Sequence, residues 1–496
     1  MPSSVPMVNK LRAALDRAAP PGSLRARFAR GSAWSLGGQI ASYVVGVISA
    51  ALVGRALGRA GFGELGMIQS TVGMFGLLAG MGLGVTNTKF VAELRSSHPR
   101  RAGRIMGLSL VVSIVSGAVV CGLVIGLAPL LAGRTLDDPS LTVPLQIAAA
   151  LLLFESVIGA LSGALAGFEA FREIALNTTL RVLLTFPLIV LGAYYLGLTG
   201  ATLGLAGGAL IGLVLYVISA VRVSRRHQCT ACFDGLRTEL RVLTGFSLPA
   251  YVSGAMVTPM IWLARLLLFR YPNGPEQMGL FQATWRFQDI ISLLGATVGA
   301  SLLPLLASRE GSGSKRLASG NMLVSWALGF FILAPLMAFP EVVGVLFGGG
   351  YAGRPLNVTM VLTMAVTNIV LYKQGLARVL TARALLWWGV LSNGVWAVTL
   401  LLCTWWLAPH GAMGLAGAFL IAYAVNVAVF IPLYTGKRLV PRSTIVSWEA
   451  LGIWLLLAAL AAGSLVEVTW ALRAILLLAC LGAGGGLFWR MARPAH

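Results

Sequence analysis

The chain has 496 residues, of which 57% are hydrophobic and only 11% are charged, and its formal net charge is +21. This number of charged residues is too small to cover the surface of a soluble fold of this length. The composition therefore excludes a soluble globular protein and predicts an all-α, polytopic membrane protein. The basic residues lie between apolar runs and not along one face, which favours membrane lipids as partners and argues against nucleic acid.

The N-terminal stretch is basic. Residues 1–33 contain one acid, Asp16, and they lack the short basic start and the small-residue cleavage site of a signal peptide. We interpret them as a retained cytoplasmic arm. Two interpretations of residues 8–15 stay open, a short amphipathic helix on the lipid headgroups or part of a disordered tail.

Fourteen apolar runs follow, each long enough for a helix to cross a ~30 Å hydrocarbon core. They are predicted at 34–55, 64–86, 105–132, 141–167, 174–196, 201–221, 246–269, 279–306, 320–346, 356–378, 384–407, 413–435, 449–467 and 471–489. Most of the 37 Lys and Arg residues lie in the N-terminal arm, the even-numbered connections and the C-terminal tail. The positive-inside rule therefore predicts that both termini are cytoplasmic. We expect the protein to lie in the cytoplasmic (inner) membrane.

The sequence contains an internal repeat. The string Gly-Leu-Ala-Gly follows a tight turn at both Gly204 and Gly414, and the hairpin at 34–95 is similar to that at 246–310, with Gly63 matching Gly279. Six helices separate the copies, so the repeats are predicted to be parallel. We therefore predict an N-lobe at 34–221, a cytoplasmic linker at 222–245, a C-lobe at 246–435 and an extra helix pair with the tail at 436–496.

The linker contains His227, Cys229 and Cys232, which resemble half of a zinc site. A tetrahedral zinc site needs four ligands, and no second group of Cys or His lies nearby in the sequence. We predict no metal and no cofactor, and we expect the loop to be reduced and structureless.

Two stretches of the sequence resemble a known family. The opening GSAWSLGGQIASYVVGVISAALVGRALGRAGFGELGM looks like the first hairpin of polysaccharide flippases, and MIWLARLLLFRYPNGPEQMGLFQATWRFQDI, followed by Leu303-Pro304, resembles their seventh and eighth helices. These flippases belong to the multidrug/oligosaccharidyl-lipid/polysaccharide (MOP) exporter superfamily. The resemblance implies a transporter that moves polyprenyl-diphosphate-linked oligosaccharide, such as an O-antigen or exopolysaccharide repeat unit, to the outer leaflet. Ala264 stands where many relatives have an acid, which weakens a paired, structural role for Arg265.

Ionisable residues inside the predicted spans indicate where the substrate binds, because such groups are costly in lipid and usually face a wet cavity. Arginine suits a diphosphate because its planar fork can hold two oxygens and stays ionised. Arg286 and Asp289 share a helix face, so local pairing as structural glue is the alternative. The predicted residues of a cationic, substrate-binding cavity are Arg265, Arg286, Asp289, Arg181, Lys373 and Arg55.

Glu155 is the one acid at the middle of its predicted span, and no partner is evident for it in the sequence. A carboxylic acid at this depth can hold a proton, so Glu155 is a candidate for proton or ion coupling during transport.

Three function classes are consistent with these features of the sequence. The flippase is favoured, with alternating access through the cavity and with a polysaccharide polymerase and other assembly proteins as candidate partners. A drug exporter or peptidoglycan-precursor flippase of the same superfamily is the first alternative, although a cationic cavity suits cationic drugs poorly. A membrane-embedded polymerase or ligase is the second, but the sequence has no nucleotide loop, metal cluster or nucleophile triad, so we predict that the protein is not an enzyme.

Overall fold

The computed structural model describes residues 24–240, 256–300, 315–382, 385–437, 447–466 and 468–492. Every regular element in these ranges is helical, which confirms the all-α fold class. Residues 8–15 of the basic arm, Leu303-Pro304 and the last five residues of the linker, 241–245, lie outside the described residues.

The α-helices are long and are joined mostly by short turns. In chain order they are α1 Leu24–Gly80, α2 Leu83–Leu94, α3 Pro99–Leu130, α4 Thr142–Gly167, α5 Phe171–Arg226, α6 Val257–Phe269, α7 Gly274–Ala300, α8 Lys315–Ala338, α9 Val342–Phe347, α10 Arg354–Ala382, α11 Leu386–Leu407, α12 Gly411–Gly436, α13 Trp448–Leu465 and α14 Trp470–Ala492. A π-helical turn, Leu131–Thr135, extends α3, and short 3₁₀ turns such as Gly349–Tyr351 lie between helices.

Two of these helices are divided by glycines. α1 has 57 residues, and at 1.5 Å per residue a straight helix of that length would be about 85 Å long, far more than a bilayer core. Gly58 interrupts α1 with φ 68°, and Gly197 interrupts α5 with φ 60°. Glycine adopts positive φ without the Cβ clash that other residues meet, so these two positions fall where the sequence predicts turns between spans.

The two halves of α5 form an antiparallel hairpin that packs through glycines. A Cβ added at Gly200 would lie 2.0 Å from the carbonyl oxygen of Gly192, and one added at Gly204 would lie 2.6 Å from the Cα of Ile189. Such small residues let helix backbones approach closely in lipid, where no hydrophobic force drives association. Gly414, which matches Gly204 in the predicted repeat, packs in the same way against the helix that precedes it.

Nine segments of the described residues are long and apolar enough to cross a membrane. Three of them, Ser42–Gly80, Phe171–Arg226 and Trp387–Gly436, contain a turn, at Gly58, Gly197 and Gly411 respectively. Exposed aromatic pairs stand just before the second and third of these turns, Tyr194 with Tyr195 and Trp405 with Trp406. Exposed Tyr and Trp at helix ends are typical of the membrane–water interface. The chain is thus a multi-pass membrane protein, while the count of fourteen spans stays a prediction.

The second half of α1 and the helix α7 run parallel and touch backbone to backbone. A Cβ at Gly63 would lie 1.9 Å from the carbonyl oxygen of Pro275, and one at Gly279 would lie 2.1 Å from that of Arg59. The contact is reciprocal, because each glycine meets the residue one helical turn before the other glycine. We call this contact the α1–α7 crossing. Reciprocity of this kind is what a parallel repeat with a two-fold axis produces, although the division into two lobes remains a proposal.

The last two helices pack on α8. Trp326 of α8 lies 5.9 Å from Trp454 and 5.2 Å from Phe488, measured between ring centroids. At the edge of this packing, Arg473 of α14 forms an ion pair of 2.6 Å with Glu341, which precedes α9. The pair α13–α14 therefore covers one side of α8.

The expectation of a structureless linker is wrong for its first half. Cys229 is buried and donates its thiol to the carbonyl oxygen of Pro99 at 3.4 Å, and the N–H of Cys232 donates to the carbonyl of Gly103 at 2.9 Å. Gly103 and Gly107 leave room for the linker backbone on the surface of α3. Glycine-lined helix surfaces of this kind do not show in a search for apolar spans, which is why the docking was missed. Within the described residues no group of three or more metal-ligating side chains forms.

Candidate functional site

A cavity of about 460 Å³ opens between α1, α4 and α5, and α7 contributes one residue to it. Its apolar wall includes Phe62, Phe186 and Ile189, and Gly46 and Gly73 of α1 widen it because no side chain faces them. Its polar lining residues are Ser49, Gln69, Glu155, Thr178, Arg181, Thr185, Tyr216 and Arg286. An apolar chamber with a few convergent polar groups is the usual form of a ligand site.

Arg286 is the residue that α7 contributes to this cavity. Its Nη2 donates to the Oε1 of Gln69 at 2.7 Å, across the α1–α7 crossing. Its Nε is buried and has no hydrogen-bond partner. The guanidinium is therefore held by a neutral amide, and its positive charge remains available to an anion in the cavity.

Arg265, on α6, reaches the neighbouring residue of α1. Its Nη1 lies 3.4 Å from the Oγ of Ser70, and its Nε is also buried without a partner. The rings of Phe281 and Trp285 each lie 5.9 Å from the guanidinium carbon, within range of a cation–π attraction. Arg265 does not line the cavity, but it is close enough to Arg286 for their charges to repel, so positive charge is concentrated here.

Asp289 is exposed and lies near both arginines without bonding to either. Among the described residues it forms no hydrogen bond and no ion pair within 4 Å. Because Arg286 and Asp289 share a helix face, the sequence allowed them to pair locally, but they do not pair in the structure. The reason is that Gln69 of α1 offers Arg286 an acceptor across the crossing, which the sequence of α7 alone does not reveal.

Glu155 is not alone, contrary to expectation. Arg181 donates from Nη1 to the Oε2 of Glu155 at 3.2 Å, and its Nη2 donates to the Oε1. Both residues line the cavity, with 26% of the Arg181 side chain and 45% of the Glu155 side chain exposed. A two-contact arginine–carboxylate pair neutralises both charges, so this side of the cavity presents a closed ion pair.

Lys373 lies apart from that cavity, on the face of α10 that meets α12. Its ammonium donates to the Oδ1 of Asn426 and lies 5.3 Å from the ring of Tyr423. Asn426 in turn donates to the carbonyl oxygen of Ser392 at 2.7 Å, which fixes its position. Like the two arginines, Lys373 is held by neutral groups.

Arg55 also lies outside the described cavity. Its Nε donates to the carbonyl of Leu346 at 2.9 Å, and its Nη2 donates to that of Val345 at 2.7 Å. These carbonyls belong to the last turn of α9, where a cation is favourable because the helix dipole is negative there. Arg55 does not line the described cavity and instead binds α9 to α1.

Two further polar features were missed in the sequence. Arg378, the last residue of the predicted span 356–378, was not singled out, but it is 9% exposed and donates to the Oδ1 of Asn321 at 2.7 Å and to the Oγ of Ser325 at 3.1 Å. Gln69 was not singled out at all. The signal that could have found it is the run Gln69-Ser70-Thr71, three consecutive polar residues within an apolar span.

Comparison with known proteins supplies a family match. The sequence model of the family described as polysaccharide biosynthesis protein matches residues 28–310, which is more than half of the chain. The EPS I polysaccharide export inner membrane protein EpsE of Ralstonia solanacearum is 30% identical over 76 residues, which cover 15% of this chain. The aligned segment spans only 17% of the length of EpsE, and the same holds for the homologue in Ralstonia nicotianae.

Solved structures share the architecture of the whole chain. The lipid II flippase MurJ in an inward closed conformation is similar with a TM-score of 0.70 at 12% identity, covering 91% of this chain and 98% of MurJ. An inward-facing multidrug resistance MATE transporter of the MOP superfamily gives 0.63 at 15% identity, covering 82% and 98% of the two chains. At these identities the likeness shows the fold alone.

Proposed function

Because the chain belongs to the family of polysaccharide biosynthesis proteins, we propose that it is a flippase for polyprenyl-diphosphate-linked oligosaccharide in the cytoplasmic membrane. The family and the fold are those of membrane transporters, so the polymerase or ligase alternative is set aside. The finer points, which are the lipid-linked substrate, the cationic cavity and the cytoplasmic location of both termini, are our proposal.

One observation carries this proposal. Arg286 and Arg265 lie near each other on two predicted membrane spans, both are held by uncharged acceptors, and both keep a buried Nε without a partner. Leaving a buried donor unpaired costs about 1–3 kcal/mol, and repulsion between two guanidiniums adds to that cost. An anion that accepts from both would remove the penalty. A diphosphate fits because its oxygens match the planar forks of two arginines.

The proposed transport cycle needs no covalent step. The diphosphate binds at Arg286 and Arg265, and the sugars enter the cavity lined by Thr178, Thr185 and Tyr216. The polyprenyl tail stays in lipid. The two halves of the molecule then rock about the α1–α7 crossing, which gives each leaflet access in turn. Lys373, held by neutral groups on the other half, is a further cation for the same headgroup or an acidic sugar.

The test is reconstitution. Purified protein in liposomes is expected to move a fluorescent polyprenyl-diphosphate sugar between leaflets, at a rate above that of protein-free liposomes. Movement of an unphosphorylated polyprenyl sugar at the same rate would contradict the diphosphate site. Release of sugar from its carrier by the pure protein would support an enzyme instead.

A further inference from the structure

Three consecutive residues of α1 receive three side chains from α6 and α7. Gln69 accepts from Arg286 at 2.7 Å, Ser70 lies 3.4 Å from Arg265, and the Oγ1 of Thr71 accepts from the indole N–H of Trp262 at 3.0 Å. We call Gln69, Ser70 and Thr71 the polar strip. Each of these bonds joins residues about 200 positions apart in the chain, so the strip holds the two halves of the molecule together.

The strip lies directly beside the α1–α7 crossing. Gly63 and Gly279 form the tightest backbone contact there, and a Cβ at Gly66 would lie 3.0 Å from the Cδ of Gln282. One helical turn further along α1, the polar strip begins. The glycine contact and the strip are therefore parts of one interface, and the arginines that we assign to the headgroup are also its hydrogen-bond donors.

The acceptors of the strip bind the arginines only weakly. A bond from a guanidinium to a neutral amide or hydroxyl is weaker than one to a phosphate oxygen, because attraction between two opposite charges adds to the hydrogen bond in the second case. An incoming diphosphate can therefore displace Gln69 from Arg286 and Ser70 from Arg265. Of the bonds of the strip, only that between Trp262 and Thr71 would then remain, beside the glycine contact.

We propose that Gln69 and Ser70 are positioning residues that compete with the anionic headgroup for Arg286 and Arg265, so that headgroup binding loosens the α1–α7 crossing. This inference rests on the proposed function, because it assumes that the two arginines bind the headgroup. Linkage makes the coupling reciprocal: an anion that weakens the crossing binds more tightly when the crossing is already weak.

Inorganic pyrophosphate is the probe, applied to the full-length protein in nanodiscs. Two quantities are measured, the affinity for pyrophosphate by calorimetry and the amide hydrogen exchange of residues 62–71 and 279–286. In the wild type, pyrophosphate is expected to speed exchange in both segments. Gln69→Leu removes the competing acceptor, so exchange is expected to be fast without ligand, and pyrophosphate is expected to bind at least as tightly as in the wild type.

Gln69→Glu gives the opposite expectation. A carboxylate at this position pairs with Arg286, so pyrophosphate affinity should fall about tenfold or more and exchange should stay slow in its presence. Thr71→Val is the matched control for Gln69→Glu: it alters the same strip at a bond that involves no arginine, so pyrophosphate affinity should not fall. Should Gln69→Leu fail to insert, Gln69→Asn, whose side chain is too short for the contact, carries the same expectation.

The outcomes separate the two claims. If Arg286→Ala binds pyrophosphate as the wild type does, the headgroup role of Arg286 is wrong. If Arg286→Ala loses binding but pyrophosphate leaves wild-type exchange unchanged, the headgroup role stands and the coupling is overturned. Weaker binding by Gln69→Leu also overturns it, because Gln69 would then assist the anion and not compete with it.

Discussion

Cations on two sides of the molecule are held in different ways. On the α2–α5 side, charges are closed into ion pairs: Arg181 with Glu155, Arg95 with Glu169, and Arg101 with Glu239. On the α1–α7 side, Arg265 and Arg286 bond to a hydroxyl and an amide, and the nearby Asp289 bonds to neither. The difference teaches that a charged residue within a predicted span is a candidate for a binding site only when its partners leave it without a counter-charge.

The largest effect is expected at Arg286. Arg286→Ala should lower flipping of the lipid-linked sugar in liposomes by about two orders of magnitude or more, because losing a desolvated charged contact costs about 2–5 kcal/mol. Arg286→Lys should restore it in part, since an ammonium keeps the charge but loses the fork. The control is Arg270→Ala, which removes the same charge from the exposed turn between α6 and α7.

A double variant decides whether Arg286 and Asp289 are structural glue instead. Removing both members of a structural pair can be nearly neutral, whereas a binding arginine is needed whatever its neighbours are. Arg286→Leu with Asp289→Leu is therefore expected to insert normally and to transport nothing. Normal surface polysaccharide in cells that carry this variant would show that Arg286 does not bind the headgroup.

The next largest effect is expected at the α1–α7 crossing, beside which Arg265 and Arg286 lie. Gly63→Ala places a Cβ 1.9 Å from the carbonyl oxygen of Pro275. The backbone must move to relieve this clash. Overpacking of this kind costs about 1–3 kcal/mol, so a lower melting temperature is expected, together with reduced transport. Gly122→Ala, on α3 where nothing lies within 4 Å, is the control and should be as stable as the wild type or more so. Equal melting temperatures for both variants would show that the crossing is looser than described.

The ion-paired side should respond differently. Glu155→Gln leaves Arg181 without its counter-charge, but both side chains are partly exposed, so the expected loss of stability is only about 1 kcal/mol. The double change Glu155→Leu with Arg181→Leu should recover that loss and retain transport. If Glu155→Gln stops transport without any change in melting temperature, Glu155 has the coupling role that its depth suggested in the sequence.

The smallest effect is a difference in thiol reactivity on the same side. Burial raises the pKa of the Cys229 thiol, so less of it is thiolate at a given pH than in an exposed cysteine. In variants that retain only one of the two linker cysteines, maleimide should label Cys229 more slowly than Cys232, which is partly exposed. The rate at Cys229 should keep rising with pH above the ordinary thiol range. Equal rates at neutral pH would indicate that the linker is not docked on α3.

Much of the fold could be predicted from the sequence, because apolar length and glycine turns report directly on spans. Gly58 and Gly197 fall between predicted spans, and Gly63 and Gly279, matched as repeats, lie against each other. The site was predicted less well. Periodicity describes one helix at a time, so it offered Asp289 as the partner of Arg286 and no partner for Glu155. Gln69 and Arg181 come from other helices, and no spacing within α7 or α4 points to them.

The polar strip has a consequence for how this protein is made. The hydrogen bond between Gln69 and Arg286 joins residues 217 positions apart, so α1 enters the membrane long before its partner exists. At typical synthesis rates the interval is roughly 10–40 s. During that time Gln69, Ser70 and Thr71 lie in the bilayer without the side chains that later bond to them. The first half of the chain is thus a folding intermediate until α7 leaves the ribosome. If the protein is made as two fragments divided in the linker, both fragments should be needed in one membrane for either to become stable.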